Sequence, residues 1–404
     1  MTIFNNKLLK NRSRSARYLA VQPSNNTLVD GVYKFLPENT VQFSEPGGGV
    51  TSGGITYTDP AGTLADYGIA MGYKIKIDPI YPGDDTRDEA GHFLSGHDIT
   101  IAGSYYNNTK RLFVWGTDHY ISSKTQDCFI FGNDISGSMG PYSGVFGMDH
   151  ILKNDNLTGS FMAGVAHTIS GGAKQNVMYG HTNFSSRDEN ALIGGSGNTA
   201  TEGHNNGVVI GRNQVCDANN ATGLVMFGDA NKMTNNTPFS LVHGQYVSGN
   251  IQGAREMGGG RHLDGSGVGI QGSIQMTEFM MGRVTADATG VPLHSMINGG
   301  GAQTRPPIIQ NQSVVFTADV VGRRKNSTET CAYLITGAIK NDAGTTALVG
   351  TPTINVVGED AAAWDVSVQA NNTNDTLEIM VTGAAGSTVY WVATVRFTQT
   401  IIGA

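Results

Sequence analysis

Three aspartates and three histidines are the residues whose spacing could do chemistry. Asp118, Asp134 and Asp149 each fall two places after a glycine; His119, His150 and His167 each fall three places after one. A carboxylate beside an imidazole could hold a cation or move a proton. The pattern sets no nucleophile beside them, and later stretches lack it, so a solvated charged ladder that blunts an exposed strand edge is the expectation. Asp84, Asp85, Asp88 and Glu89 crowd one loop without the residue order of a calcium-binding loop, and are expected to be a solvated acidic loop. No phosphate-binding glycine loop, zinc motif or nucleophile elbow occurs. The chain is therefore expected to be no enzyme and to carry no metal or cofactor.

The elements that must position these residues are repeats. Between about Leu112 and Gly244 the chain returns nine times to an apolar triplet closed by glycine. The units are Phe113-Val114-Trp115-Gly116, Phe129-Ile130-Phe131-Gly132, Gly144-Val145-Phe146-Gly147, Phe161-Met162-Ala163-Gly164 and Val177-Met178-Tyr179-Gly180. Ala191-Leu192-Ile193-Gly194, Val208-Val209-Ile210-Gly211, Val225-Met226-Phe227-Gly228 and Leu241-Val242-His243-Gly244 follow. Successive glycines lie 14 to 17 residues apart. A few residues after each, a further apolar residue is set, as at Ile121, Leu152, Ile169, Phe184, Val215 and Met233. So short a period holds two strands and two turns, one coil of a β-solenoid. The closing glycine marks a corner where a Cβ is excluded. Three apolar residues per coil exceed what one narrow roll can bury, so one face is expected to pack on sister chains. An aspartate on that face, for example Val209→Asp, is expected to abolish assembly.

Composition agrees with a fibrous β protein. There are 55 glycines among 404 residues, and only 15% of residues are charged. A formal net charge of −7 argues against nucleic acid, which calls for a basic field. Cys128, Cys216 and Cys331 are isolated and odd in number, so buried thiols are expected rather than a disulfide framework or a zinc site. No apolar run is long enough to span a bilayer, and residues 1–20 hold no apolar core of a secretory signal.

The rest of the chain divides by texture. Residues 1–27 form a basic arm with Lys7, Lys10, Arg12, Arg14 and Arg17, expected to dock on a larger acidic assembly. Residues 28–103 read as short β segments, with irregular coils near His92–Gly103 covering the start of the repeat. The shaft is placed at 104–250 and a glycine-rich neck at 251–274. From 275 to 404, strands such as Val314–Val321, Ala332–Thr336, Leu377–Val381 and Val389–Phe397 recur at sandwich-like spacing.

Two parts carry a resemblance. Gly207–Gly211, Asn190–Gly194 with Gly197–Thr199, and Gly223–Gly228 with Asp229–Asn231 resemble head repeats of trimeric autotransporter adhesins, also found in bacteriophage fibres. Bulky residues stand here where that family has alanine. Phe316–Arg323, Glu359-Asp360, Ala363–Val366, and Val381–Gly383 with Tyr390–Ala393 resemble a C-terminal β-sandwich of phage tail fibres. The resemblance implies an all-β homotrimer with a β-roll shaft and a distal sandwich. It implies a virion fibre of a tailed bacteriophage, assembled in the host cytoplasm, held to other virion proteins by its N-terminus and attaching to a host surface glycan or protein. A polysaccharide-degrading tailspike and an accessory head fibre or decoration protein are the alternatives. Recognition is expected on loops, at Asn371, Asn372, Asn374, Asp375 and Ser387. Trp364 and Trp391 sit in apolar strand runs and are expected to pack in the core.

Overall fold

The computed structural model describes residues 91–102, 110–121, 126–138, 141–153, 158–171, 174–186, 188–201, 206–217, 222–234, 239–263, 269–295 and 305–402, with seven short strands between 18 and 78. It forms two compact units, Met1–Ser196 and Gly197–Ala404. Every regular element among the described residues is β.

In the first unit the triplets become one parallel sheet. Strands Lys110–Thr117, Gln126–Asn133, Gly144–Met148, Phe161–Val165, Val177–His181 and Leu192–Ser196 pair in sequence order, glycine beside glycine. The same register continues upstream through Gly91–His97 to Tyr67–Tyr73, so regular coils begin before residue 104. A second parallel sheet of short strands, such as Tyr120–Ile121, Ile151–Lys153 and Thr168–Ser170, forms the other wall of the roll.

The residue two places before each corner glycine lies inside the coil. Val114, Ile130, Val145, Met162, Met178 and Ile193 are buried, while the residues on either side of them point outward, as strand alternation requires. The corner glycines are forced. At Gly132, φ is +146°, and a Cβ would stand 1.6 Å from the carbonyl oxygen of Gly147 in the next coil. One register differs from the sequence reading: the corner beside Gly180 is Gly195, not Gly194. Gly194 instead makes room for the ring of Tyr179, whose Cζ lies 2.1 Å from where a Cβ would be. Similarly, Ser185 and Cys216 take the inward place expected of Phe184 and Val215.

The second unit repeats this build in Val208–Arg212, Val225–Asp229, Leu241–Gln245 and Arg255–Gly260. There the chain reverses, and Arg255–Gly260 pairs antiparallel with Ile274–Thr285. Val389–Ile401 then lies between Ile274–Thr285 and Gln312–Arg324. Thr330–Asp342 and Thr353–Glu359 complete this antiparallel sheet. A smaller sheet joins Val291–Pro292, Thr376–Thr382 and Asp365–Asn371. Inward residues of both sheets share one core, with Phe316, Trp391 and Phe397 from the large sheet and Val366, Leu377 and Ile379 from the small one. Trp364 and Trp391 meet edge to face at 6.2 Å, and Trp391 Nε1 donates to Thr285 Oγ1 at 3.0 Å. Both tryptophans are core residues, as their setting in apolar runs predicts. All three cysteines are buried.

Candidate functional surfaces

The aspartates and histidines of the coil corners are brought to adjacent places but turned apart. Asp118, Asp134 and Asp149 hold positive φ near +50 to +57° and are exposed. The left-handed residue before each histidine, Asp118, Asp149 and Ala166, breaks the strand alternation and swings the next side chain into the coil. His119, His150 and His167 are therefore buried to within 1%. Ile135 N–H donates to His119 Nδ1 at 3.3 Å, His167 N–H to His150 Nδ1 at 3.2 Å, and Asn183 N–H to His167 Nδ1 at 3.2 Å. With Nδ1 accepting, the proton sits on Nε2, which donates to the carbonyls of Trp115, Phe146 and Ala163. The expected solvated His ladder is thus an internal seam, and no Asp–His acid–base pair forms along it. Asn231 plays the same part in the second unit: its Oδ1 accepts from Val247 N–H at 2.8 Å, and its Nδ2 donates to the Phe227 carbonyl.

This seam makes the shaft sensitive to acid. Burial lowers the pKa of all three histidines, and His167, crowded also by His150 and His181, falls to about 4. An unfolded histidine titrates near 6.5, so the unfolded chain binds more protons between about 6.5 and 4. Stability therefore falls as pH drops through that window and levels off below it. His167→Asn should fold, because asparagine fills the equivalent place at Asn183 and Asn231. Its melting temperature should fall less between pH 7 and pH 4 than that of the parent; equal falls would show that the seam does not titrate.

Outside the coils, the residues beside each buried centre build an apolar face in the first unit. Phe93 stacks on Phe113 at 4.5 Å, Phe113 on Phe131 at 5.1 Å, and Phe131 on Phe146 at 5.1 Å and 6°. Phe146 meets Phe161 at 5.4 Å. Trp115 and Phe129 are each 54% exposed, and Phe161, Val177 and Tyr179 at least 40%. Gly144 lies under the rings of Phe146 and Phe161, so the rings lie down and the face is filled. The large C-terminal sheet also turns apolar residues outward: Met280, Val315, Val321, Leu334, Tyr390 and Val392 are all more than 40% exposed. All seven residues of Thr353–Glu359 are exposed.

The loop residues expected to bind are mostly engaged in holding their own turns. Asn371 Oδ1 accepts from Thr373 N–H and Asn374 N–H, Asn372 Oδ1 from Thr346 N–H, and Asp375 Oδ1 from Thr346 Oγ1. These bonds join the 371–375 and 340–346 loops into one tip on which Asn372 and Asn374 are exposed. Ser387 is 7% exposed, and its N–H donates to the Ala384 carbonyl. His97, Asp98 and Asp118 place one ligand atom each within 4.8 Å of one another at the surface, where His97 Nδ1 pairs with Asp98 Oδ2 at 2.9 Å. Lys7, Lys10, Arg12, Arg14 and Arg17, and Asp84, Asp85, Asp88 and Glu89, lie outside the described residues.

No known protein family matches the chain, and no curated protein does. Among solved structures it is similar to the tailspike protein of Acinetobacter phage vB_ApiP_P1. Identity is 9%, covering 84% of this chain and 82% of that one, with a TM-score of 0.15. A likeness of that size decides neither fold nor activity, so both rest on this chain's own residues.

Proposed function

We propose that this chain is a structural fibre of a tailed-phage virion, a homotrimer whose β-roll is the shaft and whose C-terminal β-sandwich is the distal, receptor-binding tip. The filled aromatic face of the first unit carries the reading. Rings half in water over successive coils would promote aggregation in a single chain. Each ring taken out of water on a sister chain contributes roughly 1.5–3 kcal/mol when fully covered. The apolar outer face of the large C-terminal sheet supports the same assembly. The basic arm fits a particle-docking role, and the tip formed by the 340–346 and 371–375 loops fits recognition of a host glycan or protein, multiplied threefold by avidity.

Adhesion rather than cleavage is favoured because His119 and His150, which follow Asp118 and Asp149, turn inward onto backbone carbonyls. The purified full chain should block adsorption of the parent particle to its host and leave host polysaccharide intact after long incubation. Oligosaccharide release that disappears in Asp118→Asn or Asp149→Asn would overturn the adhesin reading. Failure to block adsorption would move the protein to an accessory head fibre.

A further inference from the structure

We infer that the face of the smaller C-terminal sheet turned away from the shared core holds a partly covered subsite for a carboxylate-bearing sugar, built by His294, Arg305 and Glu378. It rests on the proposed role in glycan attachment and supplies the chemical class of the receptor.

The sheet register brings the three together. Val291 and Pro292 pair with Val381 and Met380, and Leu293 N–H donates to the Ile379 carbonyl at 2.9 Å. One further step sets His294 abreast of Glu378. Leu377, Ile379 and Val381 enter the core, so Thr376 and Glu378 face the other way. Glu378 is the fixed counter-ion of the site. Its Oε1 accepts from Arg305 Nη1 and from Asn371 Nδ2 at 2.8 Å, and its Oε2 from Gln369 Nε2 at 2.6 Å.

What is left over points to a ligand. Six buried side-chain polar atoms among the described residues lack a partner, and four of them are here: His294 Nδ1 and Nε2, Arg305 Nε and Thr376 Oγ1. Each such atom is costly to bury if nothing meets it, so their gathering on one face marks a place where a polar group is received. His294 itself is 3% exposed. The charges acting on it are Arg283, Arg305 and Glu378, which leave one positive charge in excess. Burial and the two arginines hold the imidazole neutral, with a pKa lowered to about 4. The ring therefore offers one N–H and one lone pair.

A carboxylate can accept from Arg305 Nε–H and the His294 N–H while cancelling the excess charge. The sugar-ring hydroxyl at C4, two carbons from the carboxylate carbon, can donate to the other imidazole nitrogen. A hexuronate carries both groups together; a neutral hexose lacks the charge. Approach runs over Arg305, whose side chain keeps 21% exposure, beside the exposed Gln369.

The test is calorimetric titration of the full chain with glucuronate, glucose and inorganic phosphate at constant ionic strength. Glucuronate should bind saturably, at least about tenfold more tightly than glucose, and phosphate should not displace it. His294→Phe keeps the ring volume and removes two unmet buried nitrogens, so it should melt no lower than the parent yet lose at least about tenfold in glucuronate affinity. Arg305→Lys keeps a charge for Glu378 but loses Nε, and should weaken glucuronate similarly. Absence of glucuronate binding, equal binding of glucose, displacement by phosphate, or undiminished binding by His294→Phe would each overturn the subsite. Adsorption blocking by the same preparations separates the two readings: a fibre that blocks adsorption without binding glucuronate loses the subsite and keeps its function.

Discussion

Gly132→Ala should destroy the shaft at that coil. The backbone there has φ +146°, a region L-residues rarely enter, and the new Cβ would lie 1.6 Å from the carbonyl oxygen of Gly147 and 2.7 Å from its carbon. Strain alone costs roughly 1–3 kcal/mol. The overlap is with backbone that the next coil holds in its own ladder, so no side-chain movement relieves it. Folding of the shaft should fail, with soluble yield collapsing or melting lowered well below the parent. Gly144→Ala is the matched control. Its backbone needs no positive φ, and its nearest contact is Phe146 Cε2 at 3.2 Å, which a ring tilt can relieve. It should stay within about 1 kcal/mol of the parent. If the two variants melt alike, the stacking of glycine on carbonyl does not hold the coils in register.

Trp115→Glu combined with Phe129→Glu should take the proposed trimer apart and leave each chain folded. Both side chains are half in water already in the single chain, so a carboxylate there costs one roll little. In a trimer the same carboxylates would be desolvated against apolar rings, at several kcal/mol for each ion. The variant should therefore keep the β circular-dichroism signal of the parent and sediment as a single chain. Val209→Asp should behave differently. Val209 is 3% exposed and lies inside its coil, not on the outer face where the triplet reading put it, so the aspartate should unfold the coil rather than part the copies. A Trp115→Glu/Phe129→Glu protein that still assembles would remove the aromatic face from the interface.

The repeat was legible because a glycine corner and an inward apolar residue are both obligatory in every coil. Where the reading slipped, two residue types competed for one place. Gly194 precedes Gly195, and only the space required by the ring of Tyr179 tells which of them turns the corner. Phe184 and Val215 outrank Ser185 and Cys216 in hydrophobicity, yet the register of the short strands puts the smaller residues inside. The histidine seam was hidden for another reason. Polar side chains were expected outward, but a residue with positive φ before each of them reverses the alternation. The coil at Gly91–His97 reads as irregular from sequence, although it is in register with its neighbours, because His92-Phe93-Leu94-Ser95-Gly96 lacks a full apolar triplet. The C-terminal strands were plain from apolar, β-rich runs at sandwich-like spacing, and their burial alternates strictly, as in Gln312–Arg324. The cluster of His294, Arg305 and Glu378 spans segments far apart in sequence and had no local signal.

In the proposed assembly three copies cover the aromatic face of the shaft. Sedimentation equilibrium of the purified full chain at micromolar concentration tests it directly. The predicted result is a single species of about three times the 42.6 kDa chain mass that does not dissociate on dilution. A soluble species with the mass of one chain, its aromatic rings still facing water, would contradict it.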